Sequence, residues 1–178
     1  MRSPGMPAAA LGVVLVIGAC GTTPNASSEE AIGMRLSSGA FQDGAAIPAE
    51  HTCDGADRSP PLAWSDVPDG TAAFAVLVTD PDARGFVHWV LTDVPGDRRE
   101  LAAGEGDAAG VAGRNDFGRS GWGGPCPPSG QHRYVFTIYA LDGPLELGTD
   151  ATADEVLSAL ADRTLGQGQL TGVYTRSG

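Results

Sequence analysis

The sequence predicts an all-β-dominated domain, an antiparallel β-sandwich with Greek-key-like connections and one or two peripheral helices. Two observations lead to this fold class: long apolar runs rich in β-branched and aromatic residues, and the Asp, Pro and Gly residues that bound them. The runs that indicate central strands are Ala73–Thr79, Phe86–Val94 and Tyr134–Leu141. Because nearly every position in them is apolar, we expect these strands to be buried on both faces.

Shorter segments predict further strands on either side of this central group. They are Met34–Ser37, Leu62–Trp64 and Gln169–Tyr174. The segment from Pro95 to Gly121 is polar, rich in Gly and Ala and without periodicity. It therefore predicts a long connection that is either mobile or functional.

A helix is predicted over residues 153–162. Thr152 and Glu155 have the spacing of a capping box, which satisfies free N–H groups at a helix N-terminus. The apolar residues on one predicted face are Val156, Leu157 and Leu160. We therefore expect a short helix that packs on the outside of the β domain.

Composition limits the classes of partner. The chain has 178 residues, with 22 acidic and 11 basic side chains and a formal net charge of −11. Its length fits one domain after removal of a leader. Its charge disfavours nucleic acid and adsorption to anionic lipid surfaces, so we expect no nucleic-acid partner.

The N-terminus has the pattern of a bacterial lipoprotein signal. Arg2 precedes the apolar run Ala8–Ile17, which is shorter than the ~20 residues needed to span a bilayer. Small residues before Cys20 suit a peptidase that cuts ahead of a lipid-modified cysteine. A plain secretory peptide with an incidental cysteine is the alternative.

Cleavage before Cys20 divides the chain into three parts. Residues 1–19 are the predicted signal, residues 20–32 a flexible tether rich in Thr, Ser, Ala and Asn, and residues 33–178 the domain. We expect the mature protein to be held at the cell membrane by lipid on Cys20, on the extracytoplasmic face.

Export also bears on the remaining cysteines, Cys53 and Cys126. An even pair in an oxidising compartment favours a disulfide. Two buried thiols or a metal-binding pair are the alternatives, and the absence of a Cys-x-x-Cys spacing disfavours zinc. The sequence predicts neither a metal nor a cofactor.

The segment Gly121–Tyr134 is a Gly- and Pro-rich loop that leads into an apolar strand, a pattern typical of ligand loops. The backbone N–H groups of Gly123, Gly124 and Cys126 are candidate donors to a ligand. The residues that complete the predicted loop wall are Pro127 and Pro128.

Three residues at the end of this segment lie where the strand is predicted to begin. Tyr134 can contribute a phenolic hydroxyl to a ligand site. His132 either orients the loop or lies in solvent. Arg133 points to the opposite side if the strand has already begun, and we then expect it to pair with an acidic residue rather than with a ligand.

His88 lies within an apolar strand, so its ring is predicted to be buried. Asp80-Pro81-Asp82 ends the preceding strand, and a short antiparallel turn would bring these carboxylates close to the ring. A nearby carboxylate would raise the pKa of His88 and give a fixed positive charge that holds anions. The alternatives are a core histidine bound by backbone groups and an ordinary Asp-Pro turn.

Together these motifs resemble the phosphatidylethanolamine-binding protein family, in its bacterial Raf-kinase-inhibitor-like branch, over residues 33–176. The matching segments are Ile47–Gly55, Ser59–Trp64, Asp80–Ala83, His88–Val90, Asn115–Gly118, Gly124–Tyr134 and Gly166–Arg176. The family motif continues Asp-Pro-Asp-Ala-Pro, whereas Arg84 stands in place of that last proline. A turn held by the proline ring is therefore not implied here, and Arg84 is a candidate to add charge at the pocket mouth.

The resemblance implies a large antiparallel sheet packed on a smaller one, with an anion pocket at one edge. It implies phosphate-like ligands, such as phospholipid head groups, phosphorylated side chains or small anions, and no common catalytic reaction. The ligand-binding positions carried over are Asp80, Asp82, Phe86, His88, Gly124, Cys126, Pro127, Pro128 and Tyr134, and His132 is added to them as a candidate from its place after the loop.

We therefore expect a lipid-anchored binding protein for a small anionic or phosphorylated group, without catalytic residues. A second hypothesis has the same pocket inhibit or regulate a partner protein, such as a protease or a kinase. A third is a metal-dependent phosphoester hydrolase that uses Asp80, Asp82, His88 and His132.

Overall fold

The computed structural model describes Met1 and residues 32–176. The rest of the predicted signal, Cys20 and the predicted tether up to residue 31 lie outside these residues. The strands of the described part, numbered in chain order, are β1 (Ile32–Gly33), β2 (Arg35–Ser37), β3 (Leu62–Ser65), β4 (Ala73–Asp80), β5 (Phe86–Pro95), β6 (Glu100–Leu101), β7 (Val111–Ala112), β8 (Gln131–Leu141) and β9 (Thr164–Thr175). The helical segments are α1 (Ala153–Leu160) and 3-10 turns at Ala49–His51, Pro81–Ala83 and Gly106–Ala108.

The strands form a six-stranded sheet in the order β1-β9-β8-β4-β5-β7 and a three-stranded sheet in the order β2-β3-β6. Neighbouring strands run antiparallel, apart from the edge pair β1 and β9, which is parallel. The predicted fold class, a β-dominated sandwich of a large and a small sheet with a peripheral helix, is confirmed.

The main core lies between the two sheets. Trp64 of the small sheet packs edge-on against Phe74 of β4, with ring centroids 5.2 Å apart. Trp89 and Trp122 make a similar contact at 5.5 Å, and Phe136 of β8 joins the same cluster. These large side chains are almost completely buried, and each removes a large apolar area from water.

A second cluster covers the outer face of the large sheet. There Val156 and Leu160 of α1 pack on Ala75 and Leu77 of β4 and on Val90 of β5. Because both faces of the sheet are covered, its central strands are apolar at successive positions instead of alternating.

The helix departs from its prediction in one respect. Thr152 and Glu155 form the expected capping box, and Val156 is fully buried. Leu157, however, is 47% exposed, so its predicted place on the packed face is wrong. One residue advances a helix by about 100°, which puts Leu157 outside the narrow stripe that contacts the sheet.

The connection after β5 is ordered and contains β6 and β7. Asp107 in this connection accepts hydrogen bonds from the Trp89 side chain (2.8 Å) and the Trp122 backbone (3.2 Å). The connection therefore fixes the position of the loop that follows it. Within the described part of the chain, no helix is long and apolar enough to cross a membrane.

Candidate functional site

A cavity of about 220 Å³ lies at one edge of the large sheet, where β4 ends and β5 and β8 begin. The residues that line it are Asp80, Ala83, Phe86, His88, Phe117, Cys126, Pro127, Pro128, His132 and Tyr134. These include every predicted ligand-binding position except Asp82 and Gly124. That these residues bind a ligand remains a prediction.

The first wall is the Asp80 turn, Asp80–Gly85, which joins β4 to β5. The buried Asp80 carboxylate caps the 3-10 turn, because its Oδ1 accepts hydrogen bonds from the N–H groups of Asp82 (2.9 Å) and Ala83 (3.0 Å). Its Oδ2 lies 2.6 Å from Nδ1 of His132. Three donors thus hold this carboxylate, and it orients both the turn and the His132 ring.

Asp82 has a different role from the one predicted. Its carboxylate accepts hydrogen bonds from the Arg133 backbone N–H (2.8 Å), Nε (3.0 Å) and a terminal guanidinium nitrogen (2.8 Å). The side-chain bonds to Arg133 are the main reason that the pKa of Asp82 falls to about 2. Asp82 therefore ties the turn to β8 outside the cavity, and Arg133 pairs with an acid as expected.

A β-bulge sets the position of His88. Val78 of β4 pairs with Trp89 and Thr79 pairs with Val87, so His88 is the extra residue of β5 at this point. Bulges redirect a side chain and are common next to functional sites. The simple alternation assumed from the sequence could not show this feature.

The His88 ring is held in one tautomer. Its Nδ1 lies 2.7 Å from the carbonyl oxygen of Gly123, which accepts and cannot donate, so Nδ1 carries a proton. Nε2 is then the ring nitrogen available to a ligand in the cavity. On a neutral ring this atom is an acceptor, and it becomes a donor when the ring is protonated.

The predicted permanent charge on His88 is wrong. Burial lowers the pKa of His88 below its ordinary value of 6.5, and the bond to the Gly123 carbonyl and the charge of Asp80 offset this only in part. Asp80 does not bond to the His88 ring, since its oxygens bind His132 and the turn. The free site therefore holds a neutral imidazole near neutral pH.

Tyr134 stands beside His88, with the two rings edge-on and their centroids 5.0 Å apart. The residue is fully buried, and its hydroxyl has no hydrogen-bond partner among the described residues. Burial raises the pKa of Tyr134 above its ordinary value, so the phenol stays protonated at neutral pH. The His88–Tyr134 pair thus gives the cavity a donor and an acceptor.

The Gly/Pro loop, Gly121–Gly130, does not present the predicted row of free donors. The Gly123 N–H donates to the His88 carbonyl (2.9 Å), and the Gly124 N–H donates to Asp57 (2.8 Å). Both predicted donors are therefore used to hold the loop in place. The third, the Cys126 N–H, lies near the Tyr134 hydroxyl but not in hydrogen-bonding geometry, and it offsets part of the rise that burial causes in the pKa of Tyr134.

Cys53 and Cys126 are joined by a disulfide in the structure, with Cα atoms 5.4 Å apart. That separation is ordinary for such a bond. Because Cys126 and the two prolines after it line the cavity, the disulfide holds this wall against the segment around Cys53. The Cys53 N–H also donates to the Pro125 carbonyl (3.1 Å).

Phe117 completes the cavity and was missed as a site residue. Its ring lies edge-on to Phe86 (4.9 Å) and to His88 (5.3 Å), and 44% of the residue is exposed. Asn115 holds it in place, since Oδ1 accepts from the Phe117 N–H (3.0 Å) and Nδ2 donates to Gly121 (2.8 Å). An aromatic residue next to a turn-forming Asn is the signal that could have indicated it.

The Asp80 turn closes without proline at position 84. Arg84 adopts the left-handed conformation (φ 60°, ψ 32°), Gly85 follows with φ 80°, and the Gly85 N–H donates to the Asp80 carbonyl (2.9 Å). No cis peptide bond occurs among the described residues. Within those residues, no group of three or more His, Cys, Asp and Glu side chains is arranged to hold a metal ion.

The sequence motifs and the sandwich agree with a comparison to known families. The family model described as phosphatidylethanolamine-binding protein matches residues 37–175. The chain belongs to the phosphatidylethanolamine-binding protein family. The matched residues run from the end of β2 to the end of β9 and include every residue that lines the cavity.

Similar members of the family occur in archaea and bacteria. A UPF0098 protein of Methanothermobacter thermautotrophicus is 43% identical over 150 residues, which cover 80% of this chain and 99% of that protein. LppC of Mycobacterium tuberculosis, named as a candidate lipoprotein, is 40% identical over 157 residues, covering 86% of this chain and 76% of LppC.

Solved structures of family members show the same fold. CT736 of Chlamydia trachomatis, described as a candidate homologue in this family, has a TM-score of 0.77 at 34% identity, covering 82% of this chain and 99% of that one. YbcL of Escherichia coli has a TM-score of 0.76 at 31% identity, with 81% and 99% covered.

Proposed function

We propose that this protein is a lipid-anchored, extracytoplasmic binding protein that holds a small anionic or phosphorylated group in the cavity beside His88 and Tyr134. The observation that carries the proposal is that Tyr134 lines the cavity and that its buried hydroxyl has no partner among the described residues. A buried polar group without a partner is costly, and a ligand oxygen would satisfy it.

The cavity is suited to one small group with an apolar attachment. Its polar atoms come from the His88–Tyr134 pair, from Asp80 and from His132, while the rings of Phe86 and Phe117 form its sides. A phosphate group accepts hydrogen bonds from the Tyr134 hydroxyl and from a protonated His88. The aromatic side chains and Pro128 then contact the carbon atoms that carry the phosphate.

Binding of an anion is coupled to protonation of His88. The free imidazole is neutral because burial lowers its pKa, and a bound anion raises that pKa again by stabilising the imidazolium. Between the free and the bound pKa, the affinity falls about tenfold for each pH unit of increase. The ligand and a proton thus enter the site together.

Isothermal titration calorimetry with inorganic phosphate and phosphoethanolamine tests the proposal. We expect both to bind the wild type and to bind His88→Asn at least tenfold more weakly, since asparagine can donate to Gly123 but cannot supply a charged Nε2. Sulfate, whose charge does not change over this range, separates titration of His88 from titration of the phosphate. Equal affinities in wild type and His88→Asn would refute the assignment.

The Tyr134 contribution has a matched control in Tyr174, whose hydroxyl donates to Asp54 (2.8 Å) and does not line the cavity. Tyr134→Phe removes the hydroxyl of a residue that lines the cavity, and Tyr174→Phe removes the hydroxyl of a residue that does not. We expect only the first substitution to weaken phosphate binding.

The anchor is proposed from Cys20 and from the likeness to LppC, which is named as a candidate lipoprotein. Mass spectrometry of the mature protein from membranes is expected to show an N-terminal lipid on Cys20. In Cys20→Ser the lipid mass should be absent and the protein should leave the membrane fraction. An unmodified, soluble wild-type protein would refute the anchor while leaving the binding site untouched.

A further inference from the structure

We infer that Arg84 binds a second negative charge of the ligand at the rim of the cavity, so that the preferred ligands are phosphate monoesters with an additional acidic group. This inference rests on the proposed function. Arg84 lies in the Asp80 turn between Ala83 and Phe86, both of which line the cavity. Its side chain therefore starts at the cavity mouth.

Arg84 differs from the other arginines around the cavity in having no carboxylate partner. Three arginines adjoin the cavity walls and are paired, with Asp57, Asp82 and Asp54 respectively: Arg119, Arg133 and Arg176. Arg84 is exposed, and among the described residues it forms neither a hydrogen bond nor an ion pair.

The backbone gives a second reason to look for a role of this side chain. Arg84 has a φ of 60°, a conformation that favours Gly or Asn and in which a long side chain is unfavourable. The other non-glycine residues with positive φ in the described part are all acidic: Asp57, Asp66, Asp93 and Glu146. Residues kept in such a conformation cluster at ligand sites, where the side chain is needed.

The cavity itself contains no permanent positive charge. His88 is neutral until it takes up a proton, and Asp80 adds a negative charge close to it. The ligand group inside the cavity is thus held by hydrogen bonds and by the charge that His88 acquires. A second anionic group, carried on the part of the ligand that extends from the phosphate toward the cavity mouth, would lie near the Asp80 turn and could pair with the Arg84 guanidinium.

Two phosphate esters that differ in one group provide the test. Glycerol 3-phosphate and 3-phosphoglycerate share the phosphate, and the second has a carboxylate where the first has a hydroxymethyl group. We expect wild-type protein to bind 3-phosphoglycerate about threefold to fivefold more tightly, as for an exposed ion pair. The preference should decrease at high salt.

Arg84→Ala should remove this preference and leave the affinity for glycerol 3-phosphate nearly unchanged. Arg114→Ala is the matched control, because Arg114 also lacks an ion pair among the described residues but lines a neighbouring cavity with Asp116 and Asp154. It should keep the preference. Arg84→Gly, which suits the positive φ, provides a second variant if Arg84→Ala folds poorly.

Two results would overturn the inference and leave the proposed function standing. They are equal binding of the two esters by the wild type, and a preference that survives in Arg84→Ala and Arg84→Gly. Failure of the wild type to bind either ester would overturn the proposed function and the role of Arg84 with it.

Discussion

On one side of the cavity, the polar groups form hydrogen bonds within the protein, and on the other side a buried polar group does not. The Asp80 carboxylate binds three donors, and Asp82 binds Arg133. The His88–Tyr134 pair, in contrast, contains a buried hydroxyl with no partner among the described residues. The first side thus fixes the shape of the cavity, and the second is left to interact with a ligand.

This difference changes the meaning of the Asp-Pro-Asp motif. From the sequence, its carboxylates were expected to charge His88, but each is occupied by donors that lie elsewhere. Substitutions on the occupied side should therefore reduce stability, and binding only as a consequence. Substitutions in the His88–Tyr134 pair should reduce binding with little loss of stability.

Removal of the disulfide should have the largest effect on stability. Cys53 and Cys126 are 73 positions apart, and closing a loop of that length lowers the entropy of the unfolded chain by the equivalent of about 4 kcal/mol. The double variant Cys53→Ser/Cys126→Ser should lose about this free energy of unfolding in urea. Phosphate binding should also weaken, since the wall that contains Pro127 is no longer fixed.

Wild-type protein denatured with and without a thiol reductant controls for the serine substitutions. Reduction should shift the urea midpoint in the same direction as the double variant. If neither treatment moves the midpoint, the loop is held by its other contacts, such as the Gly124 bond to Asp57, and the disulfide is not a main determinant of stability.

Asp80→Asn should give the next largest loss in the free energy of unfolding, about 3 kcal/mol. The substitution removes the buried charged acceptor of three hydrogen bonds, and the amide NH₂ group faces donors with which it cannot bond. Asp82→Asn is the matched control in the same turn. Asp82 is exposed, so its replacement should cost clearly less. Urea midpoints that rank the two variants in the opposite order would contradict the division of the cavity into two sides.

The sandwich could be predicted because β4, β5 and β8 are long, apolar and bounded by turn residues, which are local signals. The two-residue strands β6 and β7 give no such signal, since they are too short to show periodicity. They form only because the preceding and following segments bring them to the sheet edges.

The cavity residues could largely be identified from their types and spacing, but their hydrogen-bond partners could not. Gly124 donates to Asp57, 67 positions away, and nothing near either residue indicates the contact. His88 occupies a bulge, which breaks the alternation on which its surroundings were inferred. The predicted positive charge is wrong for a different reason: the Asp80 carboxylate binds His132 instead of His88, so burial outweighs its effect on the pKa of His88.

A pH titration of stability tests the neutral His88. Because burial lowers its pKa in the folded protein, the unfolded chain binds the proton first as the pH falls below 6.5. The free energy of unfolding should therefore decrease with decreasing pH in that range, by at most about 1.4 kcal/mol per pH unit for this group. His88→Asn should flatten the curve there.

Bound phosphate should reverse this slope in the wild type, since the anion stabilises the protonated ring. Asp82, whose pKa is lowered to about 2, contributes stability that is fully present above its ordinary pKa of 3.8 and is lost only as the pH falls toward 2, so it does not affect the slope near pH 6.5. A slope that is the same in wild type and His88→Asn would mean that His88 does not titrate differently in the folded and unfolded states.

The smallest expected change in stability distinguishes the two sides of the cavity most directly. It is a gain in the free energy of unfolding, whereas the other substitutions are expected to cause losses. Tyr134→Phe removes a buried hydroxyl that has no partner in the described residues, so the free energy of unfolding should rise by about 1 kcal/mol. Phosphate affinity should fall about tenfold in the same variant, because a hydrogen bond to a charged ligand is lost.

Tyr174→Phe should leave phosphate affinity unchanged and should not raise the free energy of unfolding, since that hydroxyl already donates to Asp54. A gain in the free energy of unfolding together with a loss of phosphate affinity is expected of a residue whose buried polar group forms its hydrogen bond only with a ligand. If Tyr134→Phe instead loses stability, then its hydroxyl has a partner in the free protein, and the His88–Tyr134 pair belongs with the occupied side of the cavity.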